Sequence, residues 1–185
     1  FHFVPGYRSH RGRLFEWGHG FAVHTCVLRP KSIGALHLQR DGKIAIDFNF
    51  LADPYDANVL VEGIKAARNI LAQPEFNAFR GEEMLPGKHI QTDEQLHQYV
   101  KEYCATVFHP VGTCKMGRDD MSVVNPDTLK VYGIDNLRIA DASIMPTLIS
   151  GNTNAPSIMI GERAASMIIN QISSVSTSQQ ENNYA

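Results

Sequence analysis

The stretch 34-GALHLQRDGKIAIDFNF-50 decides the fold class of this chain. Apolar and polar residues alternate on both sides of Asp41-Gly42, and Asp-Gly between two alternating runs is the strongest local signal of a β-hairpin. The preceding stretch 21-FAVHTCVLRP-30 is rich in β-branched and apolar residues and ends in a proline. The first third of the chain is therefore predicted to be antiparallel sheet.

Helical periodicity follows directly after the hairpin. In 53-DPYDANVLVEGIKAARNILAQP-74, apolar residues recur at intervals of three and four. A second helix is predicted to start after Thr92, because Thr92 and Gln95 have the spacing of a capping box. A third is predicted from about Pro156 to Ile172. Helices that back an antiparallel sheet indicate an α+β fold.

The composition is typical of an ordinary globular protein, with 185 residues, 43% hydrophobic and 19% charged residues and a formal net charge of -2. This balance offers no basic surface for nucleic acid, and no apolar run has the length of a membrane span. Cys26, Cys104 and Cys114 form no CxxC pair, and His19 and His24 lack the spacing of zinc ligands, so no metal site is predicted. We expect a reducing, cytoplasmic location, or one at the periphery of the inner membrane.

The stretch 108-FHPVGTCKMG-117 contains the first candidate for chemistry. Pro110 fixes its own φ at about −65° and biases the residue before it toward extended backbone. His109 is therefore predicted at a strand end, where its side chain can be aimed at a ligand. A partly buried structural histidine would explain the same residues, and the stretch alone does not decide between the two.

A second candidate is the stretch LRIADASIMPTLISGNTNAP. A short strand is predicted to end at Asp141, and a helix is predicted to start at Pro156. Ligands in α/β sheets lie beyond the carboxyl ends of strands, and a helix start offers free N–H groups and a partial positive charge. An anionic group would be stabilised there. The alternative is that Asn152, Thr153 and Asn154 only cap the helix, which is worth about 1 kcal/mol.

Together these two stretches resemble the C-terminal part of the glucose-methanol-choline (GMC) family of flavin-dependent alcohol oxidoreductases. The resemblance extends in the family's order to LRPKSIGALHL, DFNFLADPYDANVLVEGIKAAR and AQPEF, and covers about residues 26–168. It implies a substrate-binding domain, an antiparallel sheet backed by helices, over residues 1–127. It further implies that residues 128–172 are the closing segment of a Rossmann-like FAD-binding domain. The polar tail 173–185 is predicted to be disordered.

The resemblance also implies the site residues and the cofactor, FAD. His109 matches the family's histidine beside the flavin, which accepts the hydroxyl proton as hydride leaves the alcohol carbon for flavin N5. An imidazole suits this role because it can be neutral and receptive near neutral pH. Asn152 matches the second active-site position, where an amide can donate a hydrogen bond to the substrate oxygen but cannot act as a base. The cofactor-binding positions implied in the same way are Asp141, Ala142, Thr153 and Asn154.

The function implied is that of an FAD-dependent oxidoreductase acting on the CH–OH group of primary alcohols, choline among them, with a quinone-like compound or oxygen as electron acceptor. The chain contains neither GxGxxG nor GxxxxGKS/T, so we expect the phosphate-binding segment upstream of Phe1 and expect this piece alone to be inactive. The alternative is a non-catalytic binding or assembly module that pairs with a flavin-binding partner. We also expect self-association through an exposed domain interface.

Overall fold

The computed structural model of the protein describes residues 1–6, 8, 9, 14, 15 and 18–182. The chain divides into two compact units, Phe1–Val107 and Phe108–Ala185. The resemblance places a domain limit later, after residue 127. Because the units reflect contacts within this chain and the limit at 127 reflects the family, the assignment of 1–127 and 128–172 to two family domains stays a prediction.

The described strands of the first unit form three antiparallel pairs. They are β1 (His2–Val4) with β4 (Ala22–His24), β2 (Arg8–Ser9) with β3 (Leu14–Phe15), and β5 (Ala35–Leu38) with β6 (Ile44–Asp47). The last pair confirms the hairpin predicted around Asp41-Gly42, where Gly42 has a φ of 80°, a left-handed conformation that favours glycine. Among the described residues the predicted sheet is present only as these three two-stranded pieces. Strands of two to four residues offer few ladder hydrogen bonds to a further neighbour.

Two helices of the first unit pack on each other, and both confirm the sequence prediction. They are α1 (Pro54–Leu71) and α2 (Asp93–Tyr103). The capping box is present, since Oγ1 of Thr92 accepts from the Gln95 N–H and the Gln95 side chain accepts from the Thr92 N–H. The buried side chains that join the two helices are Ala57, Val61, Leu96 and Val100.

A buried carboxylate connects the start of α1 to the segment that precedes β5. Asp56 is only 3% exposed, and its two carboxylate oxygens accept hydrogen bonds from the backbone N–H groups of Lys31 and Ser32, each at 2.9 Å. Oγ of Ser32 in turn accepts from the Asp53 N–H at 3.0 Å. The hairpin and the helix, predicted separately from the sequence, are held together at this point.

The second unit has little regular structure before its long helix. Between Phe108 and Asp141, a fully described stretch, strand-like pairing occurs only as isolated bridges. The predicted strand LRIAD contributes one residue, Arg138, which is bridged to Lys130, so the prediction of a strand ending at Asp141 is wrong. A positive φ at Asn136 turns the chain just before the stretch, and its backbone bonds to the 129–131 segment are those of Leu137 and Ile139.

The long helix α3 (Asn154–Asn182) is confirmed in place but exceeds the predicted Pro156–Ile172 at both ends. It extends into the 173–185 segment that the sequence predicts to be disordered, of which residues 183–185 lie outside the described part. This segment contains no glycine or proline to break a helix, and its glutamines and glutamate favour one. The buried apolar residues described in the second unit form one core: Val124, Leu129, Ile144, Met145, Ile160 and Ala164.

No helix in the part of the chain that the structure describes is both long enough and apolar enough to cross a membrane.

Candidate active site

His109 lies at the start of the second unit, in irregular backbone. The residue before it, Phe108, has a φ of 64°, in the left-handed region that a bulky side chain rarely adopts. This conformation turns the chain immediately before His109, so the predicted strand end is wrong at this position. The His109 side chain is half-buried. The turn at Phe108, together with Pro110 after it, sets the direction in which the imidazole leaves the backbone.

The loop that follows His109 is attached to residues 143–145 by backbone hydrogen bonds. The Cys114 N–H donates to the Ser143 carbonyl at 3.0 Å, and the Met116 N–H donates to the Ile144 carbonyl at 2.7 Å. Gly112 has a φ of 87°, and a Cβ at this position would lie 3.3 Å from the Met145 carbonyl oxygen. Glycine is needed there both for the left-handed backbone and for the close approach.

The side chain of His109 contacts Thr153, which lies 44 positions later in the sequence. Nδ1 of His109 is 2.9 Å from Oγ1 of Thr153 and 3.5 Å from the Thr153 backbone nitrogen. Thr153 is 8% exposed, so this contact is shielded from water on the threonine side. Among the described residues, Nε2 of His109 has no hydrogen-bond partner. The imidazole is therefore held at one nitrogen and available at the other.

Thr153 directly precedes α3, where a threonine would ordinarily cap the helix. A capping oxygen accepts from the second or third N–H of the helix. The third residue of α3 is Pro156, which has no N–H. In the described part of the chain the only partner of Oγ1 is His109, while the Thr153 carbonyl accepts from the N–H and the hydroxyl of Ser157 at 3.0 and 2.6 Å.

Asn152 and Asn154 flank Thr153, and both are exposed. Within the described residues, neither side chain is taken up by a hydrogen bond. The Asn152 amide is thus free to meet a ligand, as its predicted role requires. Asn152 and Asn154 are near His109 because they adjoin Thr153 in the chain. Among the described residues, neither forms a hydrogen bond to His109.

Asp141 and Ala142 start a short 3₁₀ helix, Ala142–Ile144. The Asp141 carboxylate accepts from the Ser143 N–H at 2.7 Å and so caps this turn. Ala142 packs against the core of the second unit. No hydrogen bond within the described residues joins either residue to His109. The structure therefore brings His109 and Thr153 together and leaves Asp141 and Ala142 in a separate turn.

Some of the residues that the resemblance assigns to FAD offer backbone N–H donors that suit the ring system of this cofactor. The N–H groups of Asn154 and Ala155 open α3 and have no acceptor within the helix. Together with the positive end of the helix dipole, they favour a group that gains negative charge, as the ring system of FAD does on reduction. No group of three metal-ligating side chains is present among the described residues.

The contact between the Thr153 side chain and His109 was not predicted from the sequence, where the resemblance implies only that Thr153 is a cofactor-binding position. The contact spans 44 residues, and no local pattern reports a distance of that kind. One local signal was available. Pro156 at the third helical position removes one of the two N–H groups that the Thr153 hydroxyl could cap, which leaves the Ala155 N–H as the remaining capping donor.

Comparison with known proteins places these features in a family context. The family model described as GMC oxidoreductase matches residues 30–161, which include His109 and the segment from Asp141 to Asn154. An alcohol dehydrogenase (acceptor) from Pseudomonas putida is 42% identical over 175 residues, covering 93% of this chain and 32% of that protein. An oxygen-dependent choline dehydrogenase from Citrobacter koseri is 43% identical over 171 residues, covering 91% of this chain and 30% of that protein.

A solved structure shows the same likeness in three dimensions. It is a formate oxidase from Aspergillus oryzae in which FAD modification is described, with a TM-score of 0.73 and 30% identity over 78% of this chain and 26% of that one. The chain spans about a third of the length of the curated relatives that it matches.

Proposed function

The chain belongs to the GMC oxidoreductase family, and from this membership we propose that it carries the proton-handling residues of an FAD-dependent enzyme that oxidises primary alcohols. The observation that supports this most directly is the state of His109. Its Nδ1 is held by Thr153 at 2.9 Å, and its Nε2 has no partner among the described residues. A general base needs this arrangement, with one nitrogen fixed and the other open to the substrate.

His109 is proposed to take the hydroxyl proton of the alcohol at Nε2. The O–H bond breaks, and its electrons form the second carbon–oxygen bond of the aldehyde as the hydride departs from the carbon. FAD, when bound, supplies the two-electron acceptor for that hydride. The Asn152 amide, exposed and unengaged, donates a hydrogen bond to the same oxygen and so stabilises the negative charge that develops there.

The start of α3 is proposed to face the ring system of FAD, through the amides of Asn154 and Ala155. Asp141 and Ala142 are proposed to approach the ribityl and pyrophosphate part of the cofactor. This assignment treats residues 128–172 as the closing segment of the FAD-binding domain. It is supported by the family match, which includes Asp141–Asn154, and by the free helix-start amides.

We propose a small primary alcohol as substrate, with choline as one candidate, and a quinone-like compound or oxygen as acceptor. The support comes from relatives at 42% and 43% identity that are an alcohol dehydrogenase and a choline dehydrogenase. The three cysteines are all free of disulfides, which supports a reducing, cytoplasmic location or one at the inner-membrane periphery as part of the same proposal.

The experiment that tests the proposal measures turnover of a panel of primary alcohols, choline included, with an artificial electron acceptor. It uses the FAD-loaded protein that contains this chain, its His109→Ala variant and a matched His89→Ala control, which removes an exposed imidazole from the first unit. Visible absorbance reports the flavin content of each. We expect His109→Ala to retain flavin and lose about 10²- to 10⁴-fold in kcat, with the control unchanged.

Two outcomes would overturn this proposal. Equal turnover in the parent and His109→Ala would remove His109 from the proton transfer. Flavin binding in the parent without turnover of any alcohol would favour the alternative function, a non-catalytic assembly module.

A further inference from the structure

We propose that Thr153 is a positioning residue for the reaction, whose hydroxyl accepts the Nδ1–H of His109 and thereby keeps the lone pair of the imidazole on Nε2. The inference rests on the proposed function, since it concerns the state in which His109 acts as a base. It gives the Thr153 side chain a role distinct from contact with the cofactor or the substrate.

The contact has the geometry of an ordinary hydrogen bond. The distance of 2.9 Å between Nδ1 and Oγ1 is in the middle of the usual range. Thr153 is 8% exposed, so water competes little for its oxygen. The Thr153 backbone N–H also points toward Nδ1 and, since an N–H can only donate, this contact favours a bare Nδ1. At 3.5 Å it is at the limit of hydrogen bonding and weaker than the hydroxyl contact at 2.9 Å. The hydroxyl contact is therefore the one that decides the state of Nδ1.

A hydroxyl can either accept from Nδ1–H or donate to a bare Nδ1, and the two arrangements have opposite consequences. When Thr153 accepts, neutral His109 carries its proton on Nδ1, and Nε2 can take the substrate proton. When Thr153 donates, the proton lies on Nε2, and the imidazole can only donate toward the substrate. The tautomer of a histidine is set by the hydrogen bond of its other nitrogen, so the direction of this one bond determines whether His109 is a base.

The Thr153 oxygen is available for this role because, among the described residues, it accepts no hydrogen bond from α3. Pro156 at the third position carries no N–H, so of the two usual capping donors only the Ala155 N–H remains. Ser157 is satisfied by the Thr153 carbonyl and does not compete for the hydroxyl. The Thr153 hydroxyl therefore contacts the His109 side chain instead of capping its own helix.

The first arm of the test compares Thr153→Val and Thr153→Ser in the FAD-loaded protein, with Ser166→Ala as the matched control. Ser166→Ala removes a hydroxyl from the same helix that donates to the Glu162 carbonyl and is bonded to neither Thr153 nor His109. We expect Thr153→Val to lower kcat about tenfold, with KM near that of the parent because the proposal gives Thr153 no contact with the substrate. Thr153→Ser restores the hydroxyl and is expected to recover kcat to within about twofold of the parent, and the control leaves it unchanged.

The second arm reads the tautomer directly and does not depend on activity. ¹⁵N spectra of the histidine-labelled protein, with the His109 signals assigned by their loss in His109→Ala, show which ring nitrogen carries the proton. We expect a protonated Nδ1 and a bare Nε2 in the neutral parent, and a mixture of tautomers in Thr153→Val.

A neutral parent with its proton on Nε2, or a Thr153→Val variant with parental kcat and spectra, would overturn the inference. If His109→Ala loses activity while Thr153→Val does not, the result supports His109 as the base and rules out the positioning role of Thr153. If His109→Ala keeps its activity, the proposed function fails, and the spectra still report the direction of the bond. Should Thr153→Val not fold, the spectrum of the parent and the kcat of Thr153→Ser decide the matter.

Discussion

Asp56 is a charged side chain in the interior of the first unit, and its environment determines its titration. Burial raises the pKa of Asp56, while hydrogen bonds from Ser32 and Lys31 and the charge of Lys31 lower it. The balance leaves the pKa below its ordinary value of 3.8. Because the pKa is lower in the folded chain than in the unfolded one, the ionised carboxylate stabilises the fold above the unfolded value. This stabilisation is lost as the pH falls through the folded pKa.

We therefore expect Asp56→Asn to alter the acid dependence of stability. The free energy of unfolding of the parent should fall with pH below about 4, and that of Asp56→Asn should fall less over the same range. At neutral pH the variant should be less stable by about 1–3 kcal/mol, because hydrogen bonds to a buried charge are weakened. Denaturant unfolding of both proteins at a series of pH values measures the difference. Parallel pH curves would show that Asp56 does not contribute in this way.

Single residues differed in how far the sequence could predict them. His109 was identified as a candidate from the proline that follows it and from the family resemblance, but its backbone was predicted as a strand end. The left-handed conformation of Phe108 caused that error, since a phenylalanine gives no sign that it will adopt a positive φ. The bond from His109 to Thr153 was also beyond prediction, because it depends on the packing of the second unit rather than on spacing.

Among the elements, α2 shows how a helix start can be specified by two side chains. Thr92 and Gln95 satisfy each other's backbone N–H groups, and Gln95 also accepts from the Gln91 N–H at 2.8 Å. Asp93 and Glu94 place negative charge in the first turn, where the helix dipole favours it. The buried side chains Leu96 and Val100 follow directly, so the cap sets the register of the face that packs on α1.

Removal of the cap should destabilise the chain without changing its fold. We expect Thr92→Ala to lower the free energy of unfolding by about 1 kcal/mol, the ordinary contribution of a capping threonine. Ser166→Ala is a suitable control because it removes an exposed hydroxyl from the interior of a helix. Thermal and denaturant unfolding of the two variants measure the difference. Equal stability of Thr92→Ala and the parent would contradict a role of the capping box in the stability of the chain.

Elements with a strong local signal were predicted correctly, and those that depend on distant partners were not. The hairpin at Asp41-Gly42, α1 and the capping box of α2 all carry their information within a few residues. LRIAD is apolar enough for a strand, but a strand exists only where a partner runs beside it, and here Arg138 alone is bridged. The C-terminal end of α3 was placed too early, because a polar composition does not by itself end a helix.

At the scale of the whole molecule, the hairpin of β5 and β6 presents an apolar face that the described residues do not cover. Leu36 is paired with Ile46 and Leu38 with Ile44, and cross-strand partners and alternate residues share a face of the hairpin. All four side chains are exposed, Leu38 to 79%. Contiguous apolar surface of this kind is uncommon on monomeric proteins.

We propose that the 185-residue chain in solution associates with itself through this face. Size-exclusion chromatography over a wide concentration range should show the apparent mass rise with concentration. Leu38→Lys should shift the equilibrium toward monomer, because it places a charge in the middle of the face. Ile134→Lys, which replaces an exposed isoleucine of the second unit, serves as the control. A parent that remains monomeric throughout, or two variants that dissociate equally, would rule out the hairpin face as the contact.

Pro156 has a consequence for any attempt to make this protein more heat-resistant. Alanine at position 156 would restore a backbone donor to the first turn, and this N–H is one of the two that a threonine at a helix start can cap. That new donor would draw on the same oxygen that holds His109. Under the proposed role of Thr153, a gain in helix stability from this substitution would be accompanied by a loss of turnover, because both depend on the same hydroxyl oxygen.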